Sequence, residues 1–123
     1  MRVTIFLMLS VFALTCCAPA IRTTTFQKLS PKPADAPIKV YRFKTPQCDF
    51  VEIGIINSRQ RNKFISMDEV MNSLIVEARK MGGDAIIGLN ETNPIYDVDQ
   101  YGIDRDPVLS GTVIRFTDPN CMY

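Results

Sequence analysis

The sequence predicts an α+β domain in which a single helix packs on a small, mostly antiparallel sheet, in the order β-β-α-β-β. Three observations lead to this prediction. Four short apolar or alternating stretches lie between polar turns, which is typical of strands. One longer stretch between them repeats its apolar residues at helical spacing. The chain has 123 residues, which is room for one small domain.

The four predicted strands follow in order along the chain. Residues 38–43 (IKVYRF) alternate apolar and basic residues, as a half-buried strand does, and residues 49–57 (DFVEIGIIN) form the second strand. Residues 84–89 (DAIIGL) and 108–116 (VLSGTVIRF) form the third and fourth strands. The helix falls between the second strand and the third, which makes the layered α+β arrangement the natural one.

The predicted helix has a clear beginning and end. Ser66 is followed three residues later by Glu69, which predicts a capping box. Gly82 and Gly83 stop the helix, because glycine is favoured just past a helix C-terminus. Its predicted buried stripe consists of Met67, Val70, Met71, Leu74, Ala78 and Met81.

The first 16 residues predict a secretory signal peptide. Met1 and Arg2 precede an apolar run over 3–15, which small residues follow. The run is about 13 residues long, whereas a membrane span needs about 18 or more. An uncleaved short anchor is the alternative interpretation.

The end of that run predicts a lipid anchor. Leu14-Thr15-Cys16-Cys17 resembles the bacterial lipobox, with Cys17 as the lipidated (palmitate-bearing) residue and Cys16 lost with the signal. The alternative is ordinary signal cleavage near residues 17–20 (CAPA), which leaves a free or paired cysteine. Ala18 rather than aspartate follows Cys17, which predicts delivery to an outer membrane, facing the periplasm. Residues 17–36 then form a Pro/Thr-rich tether to a folded domain at 37–123.

The stretch EARKMGGDAIIGL, followed by a strand containing SGTVIRF, resembles the YbjQ-like domains and their exported lipoprotein relatives. The stress-sensing lipoprotein of the Rcs phosphorelay is similar at a greater distance. The resemblance implies an α+β domain over about 37–121. It also implies that the strand after Cys48 and the strand before Cys121 are antiparallel neighbours, so that these cysteines form a disulfide in an oxidising compartment. The family is described as heavy-metal-binding, and its cytosolic members form rings.

Composition excludes several kinds of chemistry. The chain has no histidine and a formal net charge of +1, so His-based catalysis, His-based zinc sites and a basic nucleic-acid surface are not expected. Asp97 and Asp99 match two positions of a calcium loop, but Tyr101 and Val108 do not fit theirs, and a solvated loop is the default interpretation. The basic residues Arg59, Arg61 and Lys63 predict a solvated loop, with contact to anionic lipid as the alternative. No cofactor is expected.

One face of the predicted sheet is too apolar to remain in water. If Ile53, Ile55 and their neighbours face the helix, period-two alternation puts the other apolar residues and three glycines on the opposite face. Either residues 92–107 and the first predicted strand cover this face, or another copy or another envelope protein does. The predicted interface residues are Phe50, Gly54, Ile86, Gly88, Leu109, Gly111 and Val113.

These observations predict an envelope lipoprotein whose small domain is a non-enzymatic interaction or assembly module, possibly with a sensing role. The alternative function is metal handling, which the family resemblance implies. An enzyme is not expected, because no nucleophile, base and orienting group can be assembled from these residues.

Overall fold

The structure, a computed structural model, describes residues 19–59, 65–92, 95–100, 102–105 and 108–122. The predicted signal peptide and both Cys16 and Cys17 lie outside these residues. The elements are strands β1 (Ala20–Thr25), β2 (Lys39–Val40), β3 (Phe50–Arg59), β4 (Ala85–Thr92), β5 (Ile95–Asp99), β6 (Gly102–Arg105) and β7 (Val108–Phe116), helix α1 (Met67–Lys80) and a 3₁₀ turn (Pro119–Met122).

The main sheet has five strands in the order β1-β3-β7-β4-β2. All neighbours are antiparallel except β2 and β4, which run parallel through two residue pairs. β5 and β6 form a separate antiparallel hairpin. The predicted fold class, one helix on a mostly antiparallel sheet, is confirmed.

Helix α1 begins and ends where the sequence predicts. The Ser66 hydroxyl accepts the backbone N–H of Glu69 at 3.2 Å, and the Glu69 carboxylate accepts the backbone N–H of Ser66 at 2.8 Å. Gly82 follows the helix with φ +84°, a left-handed conformation that suits glycine. Val70, Leu74 and Ala78 form the buried face of the helix.

The sheet separates two apolar clusters, one on each face. The helix-side core combines the buried residues of α1 with Ile53, Ile56, Ile65, Met81, Ile86, Leu89, Leu109 and Val113. The far-side cluster consists of Ala85, Ile87, Ile114 and Phe116, against which Tyr41, Cys48, Phe50 and Cys121 pack.

The predicted assignment of the two sheet faces therefore holds for Ile53 and Leu89 and is wrong for most of the other residues. Ile86 and Val113 are fully buried in the helix-side core, and Leu109 is almost so, whereas Ala85 and Ile114 face away from the helix. The reason is an irregularity in β3 between Glu52 and Gly54. A bulge breaks the period-two alternation, so that Ile53 and Ile56 lie on the same face although they are three residues apart.

A similar irregularity occurs in β4 between Ile87 and Asn90. Gly88 adopts φ +61° there, and Leu89 joins Ile86 in the helix-side core. Of the predicted cover of the open face, the first predicted strand contributes Tyr41, while residues 93–94, 101 and 106–107 lie outside the described residues. Among the described elements, β5 and β6 contact only each other. The far-side cluster is covered instead by side chains from residues 41–50 and from the C-terminal turn.

The segment predicted as a free tether differs most from expectation. Residues 20–25 form a strand that pairs with β3 along its whole length. The proline-rich residues that follow are also attached to the domain. Lys32 donates its backbone N–H to the Arg79 carbonyl at 2.8 Å, and Arg79 Nε donates to the Ala36 carbonyl at 2.6 Å. The segment is thus part of the fold rather than a spacer.

The buried carboxylate of Asp84 also attaches the proline-rich segment to the sheet. Its Oδ1 lies 2.7 Å from Lys32 Nζ, and its Oδ2 accepts the backbone N–H of Phe116 at 3.0 Å. The carboxylate is almost completely buried, and burying an ionised group requires such partners.

No helix among the described residues is long and apolar enough to cross a membrane.

Candidate functional site

The most distinctive surface of the domain is the outer edge of β1, the first strand of the sheet. β1 pairs with β3 on one side and has no strand on the other among the described elements. Phe26 donates its backbone N–H to the Ile53 carbonyl at 2.8 Å, which fixes the hydrogen-bonded pairs of this ladder. Because such pairs alternate, Ile21, Thr23 and Thr25 direct their N–H and C=O groups away from β3. The edge therefore presents six backbone hydrogen-bonding groups to a partner.

This edge lacks the features that usually prevent a strand from pairing with another chain. Charged residues, proline and bulges protect natural edges. β1 has no bulge, no internal proline and a single charge, Arg22. The opposite edge is different, because β2 is only two residues long and offers little backbone for pairing. One edge is protected and the other is open.

A groove of about 400 Å³ runs beside the open edge, between β1 and α1. Ile21 and Thr23 line it from the strand, and Asn72, Val76 and Lys80 line it from the helix. The Val76 side chain is 43% exposed there, although it is apolar. An extended segment added to β1 would place every second side chain against this groove.

Gly54 explains how β1 lies so close to both β3 and the helix. A Cβ atom at this position would overlap the Thr24 carbonyl oxygen and the Met81 methyl group. The absence of a side chain lets the strand and the end of the helix approach β3 together. Gly54 was predicted as an interface residue, and its role here is close packing inside the domain.

The other predicted interface residues are distributed over the molecule. Ile86, Leu109 and Val113 lie beneath the helix, and Phe50 packs on the far-side cluster. Gly111 packs closely against Ile86, and Gly88 is exposed with open space around it. These residues therefore do not lie on one continuous surface of the described part of the chain.

The predicted cysteine pair is brought together. Cys48 and Cys121 lie at disulfide distance with their Cα atoms 6.2 Å apart, and the bond links positions separated by 73 residues. Cys48 precedes β3, and Cys121 lies in the turn that follows β7. At this separation their sulfur atoms can form the predicted disulfide.

The predicted metal candidates lie on a strand rather than in a binding loop. Asp97 and Asp99 are in β5, opposite Asp104 and Gly102 of β6. No group of three metal-ligating side chains occurs in the part of the chain that the structure describes. Of the predicted basic loop, Arg59 ends β3, while Arg61 and Lys63 fall outside the described residues.

Together these features define a small α+β protein with one open sheet edge beside a groove. A crystal structure of the Francisella virulence factor FvfA is similar to this chain, with a TM-score of 0.53 and 15% sequence identity, over 81% of this chain and 99% of that one. At this identity the similarity concerns the fold alone. No family model and no curated protein matches the sequence, so the resemblance to YbjQ-like domains stays a prediction.

Proposed function

We propose that this protein is a lipid-anchored component of a bacterial envelope whose α+β domain binds other proteins through the open edge of β1, without enzymatic activity. The observation that carries the proposal is the contrast between the unprotected β1 edge and the short, protected β2 edge. The lipid anchor at Cys17 and the outer-membrane location rest on the sequence pattern around residues 14–18. The metal-handling alternative is the competing function.

A partner would bind by adding a strand to the sheet. Backbone hydrogen bonds to Ile21, Thr23 and Thr25 would supply affinity, and side chains entering the groove beside Val76 would supply selectivity. The exposed Arg22 favours a partner with an acidic or polar residue on the opposite face of its strand. We therefore propose an extended segment that is apolar at alternate positions and carries an acidic residue opposite Arg22.

Self-pairing of β1 fits less well than a segment from another protein. In a twofold-symmetric pair the two β1 strands run antiparallel, so their starts lie about 17 Å apart along the ladder. Only Ala18 and Pro19 separate Cys17 from β1. Two copies anchored in one membrane could pair in this way only if both strands lay along the membrane surface.

The lipid anchor is tested by the mass of the mature protein. Cys17→Ser should abolish acylation and leave the precursor uncut, whereas Cys16→Ala should be processed normally. If Cys16→Ala blocks acylation and Cys17→Ser does not, the predicted site is wrong. A soluble, correctly cut product from wild type and both variants would remove the lipid anchor altogether.

The open edge is tested by site-specific photocrosslinking in the living cell. A photoreactive side chain at Thr23 should give a discrete protein adduct, and the same group at Val40 on the protected edge should not. Thr23→Pro should abolish the adduct formed from a photoreactive group at Arg22 and keep the domain folded, because the Thr23 N–H points away from β3. Thr24→Pro should instead disrupt the β1–β3 ladder itself.

Three outcomes would contradict the proposal. Equal crosslinking from Thr23 and Val40 would show that the β1 edge has no special role. An adduct at twice the protein's own mass would identify self-association as the function of the edge. Tight stoichiometric metal binding by the purified chain would favour the metal-handling alternative instead.

A further inference from the structure

We propose that the sheet face opposite the helix binds the glycan of the bacterial cell wall, with a carboxylate of that glycan network held by Arg22. This inference goes beyond strand addition at the β1 edge and rests on the envelope location in the proposed function. It concerns the flat face of the sheet rather than its edge.

The strand registers define a row of side chains that crosses four strands on this face. Ser110 lies four residues before Ile114, which belongs to the far-side cluster, so the two side chains point to the same face. Residues that pair directly in an antiparallel sheet also share a face. The row consists of Arg22, Asn57, Ser110 and Asn90. With strands about 4.8 Å apart, it is about 14 Å long.

A second row lies between this one and the far-side cluster. Thr112 pairs with Ile87 of that cluster on one side and with Ile55 on the other, and Ile55 pairs with Thr24. Tyr41 lies beside Ile87, because it packs on the same cluster and donates its backbone N–H to the neighbouring Ile86 carbonyl at 2.8 Å. We call the polar members of the two rows the polar patch: Arg22, Thr24, Asn57, Asn90, Ser110 and Thr112.

The described part of the chain leaves the polar patch open. Arg22, Thr24 and Asn90 are exposed, and the other three residues are half-buried between their neighbours in the sheet. No side-chain hydrogen bond or ion pair joins any of the six to another described residue. Their donors and acceptors are therefore free for a ligand.

The residue types of the patch are unusual for their position. β3 and β7 are interior strands of the sheet, where β-branched and aromatic residues are favoured and asparagine is depleted. Asn57 and Ser110 nevertheless face each other there, without a hydrogen bond between their side chains. Positions that break local preferences in this way tend to be functional.

The chemistry of the patch fits a glycan. Amide and hydroxyl side chains both donate and accept hydrogen bonds, as sugar hydroxyl and N-acetyl groups do. Arg22 is the single charge of the patch, which suits an isolated carboxylate but not a nucleic acid. An apolar protein surface or lipid chain would leave these polar groups unsatisfied. The half-buried Tyr41 adds an aromatic surface at the border of the patch. In a bacterial envelope, the cell-wall glycan with its peptide carboxylates combines these groups.

The test is cosedimentation of the full chain, purified in mild detergent, with cell-wall sacculi from a Gram-negative bacterium. Asn57→Asp keeps the size of the side chain but replaces its donor by a negative charge, and should weaken binding about tenfold. Gln100→Glu makes the matching change at an exposed residue of the β5–β6 turn and should bind as the wild type does. Circular dichroism verifies that both variants are folded.

The role of Arg22 is tested with sacculi whose carboxylates have been blocked by amidation. Blocking should weaken binding of the wild type about tenfold, since a charge-assisted pair is lost. Arg22→Gln should bind native and amidated sacculi equally, at the weakened level. An amidation effect of the same size in Arg22→Gln would show that Arg22 does not hold the carboxylate.

Three further results would overturn the inference. The wild type would fail to sediment with native sacculi, or Asn57→Asp would sediment as well as Gln100→Glu. A discrete protein adduct from a photoreactive side chain at Thr112 in the living cell would identify a protein as the occupant of the face. If sacculus binding fails while the Thr23 adduct forms, strand addition at the β1 edge stands and only the glycan site is refuted. If the chain is absent from the envelope, the proposed location falls and this inference falls with it.

Discussion

The ion pair between Lys32 and Asp84 helps to attach the proline-rich segment to the folded domain. The Asp84 side chain is only 7% exposed. In Lys32→Ala its carboxylate would keep, among the described residues, only the hydrogen bond from the backbone N–H of Phe116. Breaking a buried pair in this way costs about 3–5 kcal/mol, and breaking an exposed one costs about 0–1 kcal/mol. The Lys32 side chain is 28% exposed, so the pair lies between these limits. We expect the free energy of unfolding to fall by about 2–3 kcal/mol.

The measurement is urea denaturation of the chain starting at Ala18, with the disulfide intact. Lys28→Ala is the matched control, because Lys28 is an exposed lysine in the same segment, and it should change stability by less than about 0.5 kcal/mol. A double-mutant cycle with Asp84→Asn should recover a coupling energy of about 1–3 kcal/mol, since contacting residues are not additive. If Lys32→Ala is as stable as Lys28→Ala, the segment is not docked as described and the reasoning fails.

The remaining predictions concern stability and are measured in the same way. Gly82→Ala should cost about 2–4 kcal/mol, because φ is +84° and the new Cβ would meet the backbone of the proline-rich segment. Gly88→Ala, with φ +61° but open space, should cost about 1 kcal/mol, and equal losses at the two glycines would contradict this explanation. Ser66→Ala should cost about 1 kcal/mol through loss of the helix cap, and a neutral effect would show that the capping box contributes nothing. Replacing both Cys48 and Cys121 by Ala should cost about 4 kcal/mol, since the bond closes a loop of 73 residues, and an unchanged midpoint would refute the disulfide's stabilising role.

The local elements of this fold could be predicted from the sequence, because their signals are local. The capping box at Ser66 marks the start of α1, and the glycine at position 82 marks its end. The strand over 108–116 has the predicted bounds. Each of these signals depends on neighbouring residues and on backbone preferences that act within a few positions.

The orientation of the sheet faces could not be predicted, because it depends on two irregularities that have no strong sequence signal. A one-residue bulge near Ile53 and another near Gly88 reverse the faces assigned by simple alternation. An interior glycine can mark a bulge, and Gly88 adjoins one, but glycine occurs in strands for other reasons as well.

The open edge was missed for a different reason. The β-branched run from Thr23 to Thr25 favours a strand, but the prolines around it suggested a flexible linker. β1 exists because β3 offers it a partner more than 25 residues further along the chain. The order of strands in a sheet is a non-local property, so which strand forms its edge cannot be predicted from local preferences.

The central position of β7 has a consequence for how the protein acquires its fold. β7 lies between β3 and β4 and is the last strand among the described elements, so the two halves of the sheet remain unconnected until residues 108–116 are present. A chain that emerges amino terminus first, from a ribosome or across a membrane, can form α1 and the β1–β3 pair early but cannot close the sheet until residues 108–116 have emerged. Contacts of such large sequence separation also slow folding. The five-stranded sheet therefore forms late, and a chain that stops before β7 is left with two unconnected parts of the sheet.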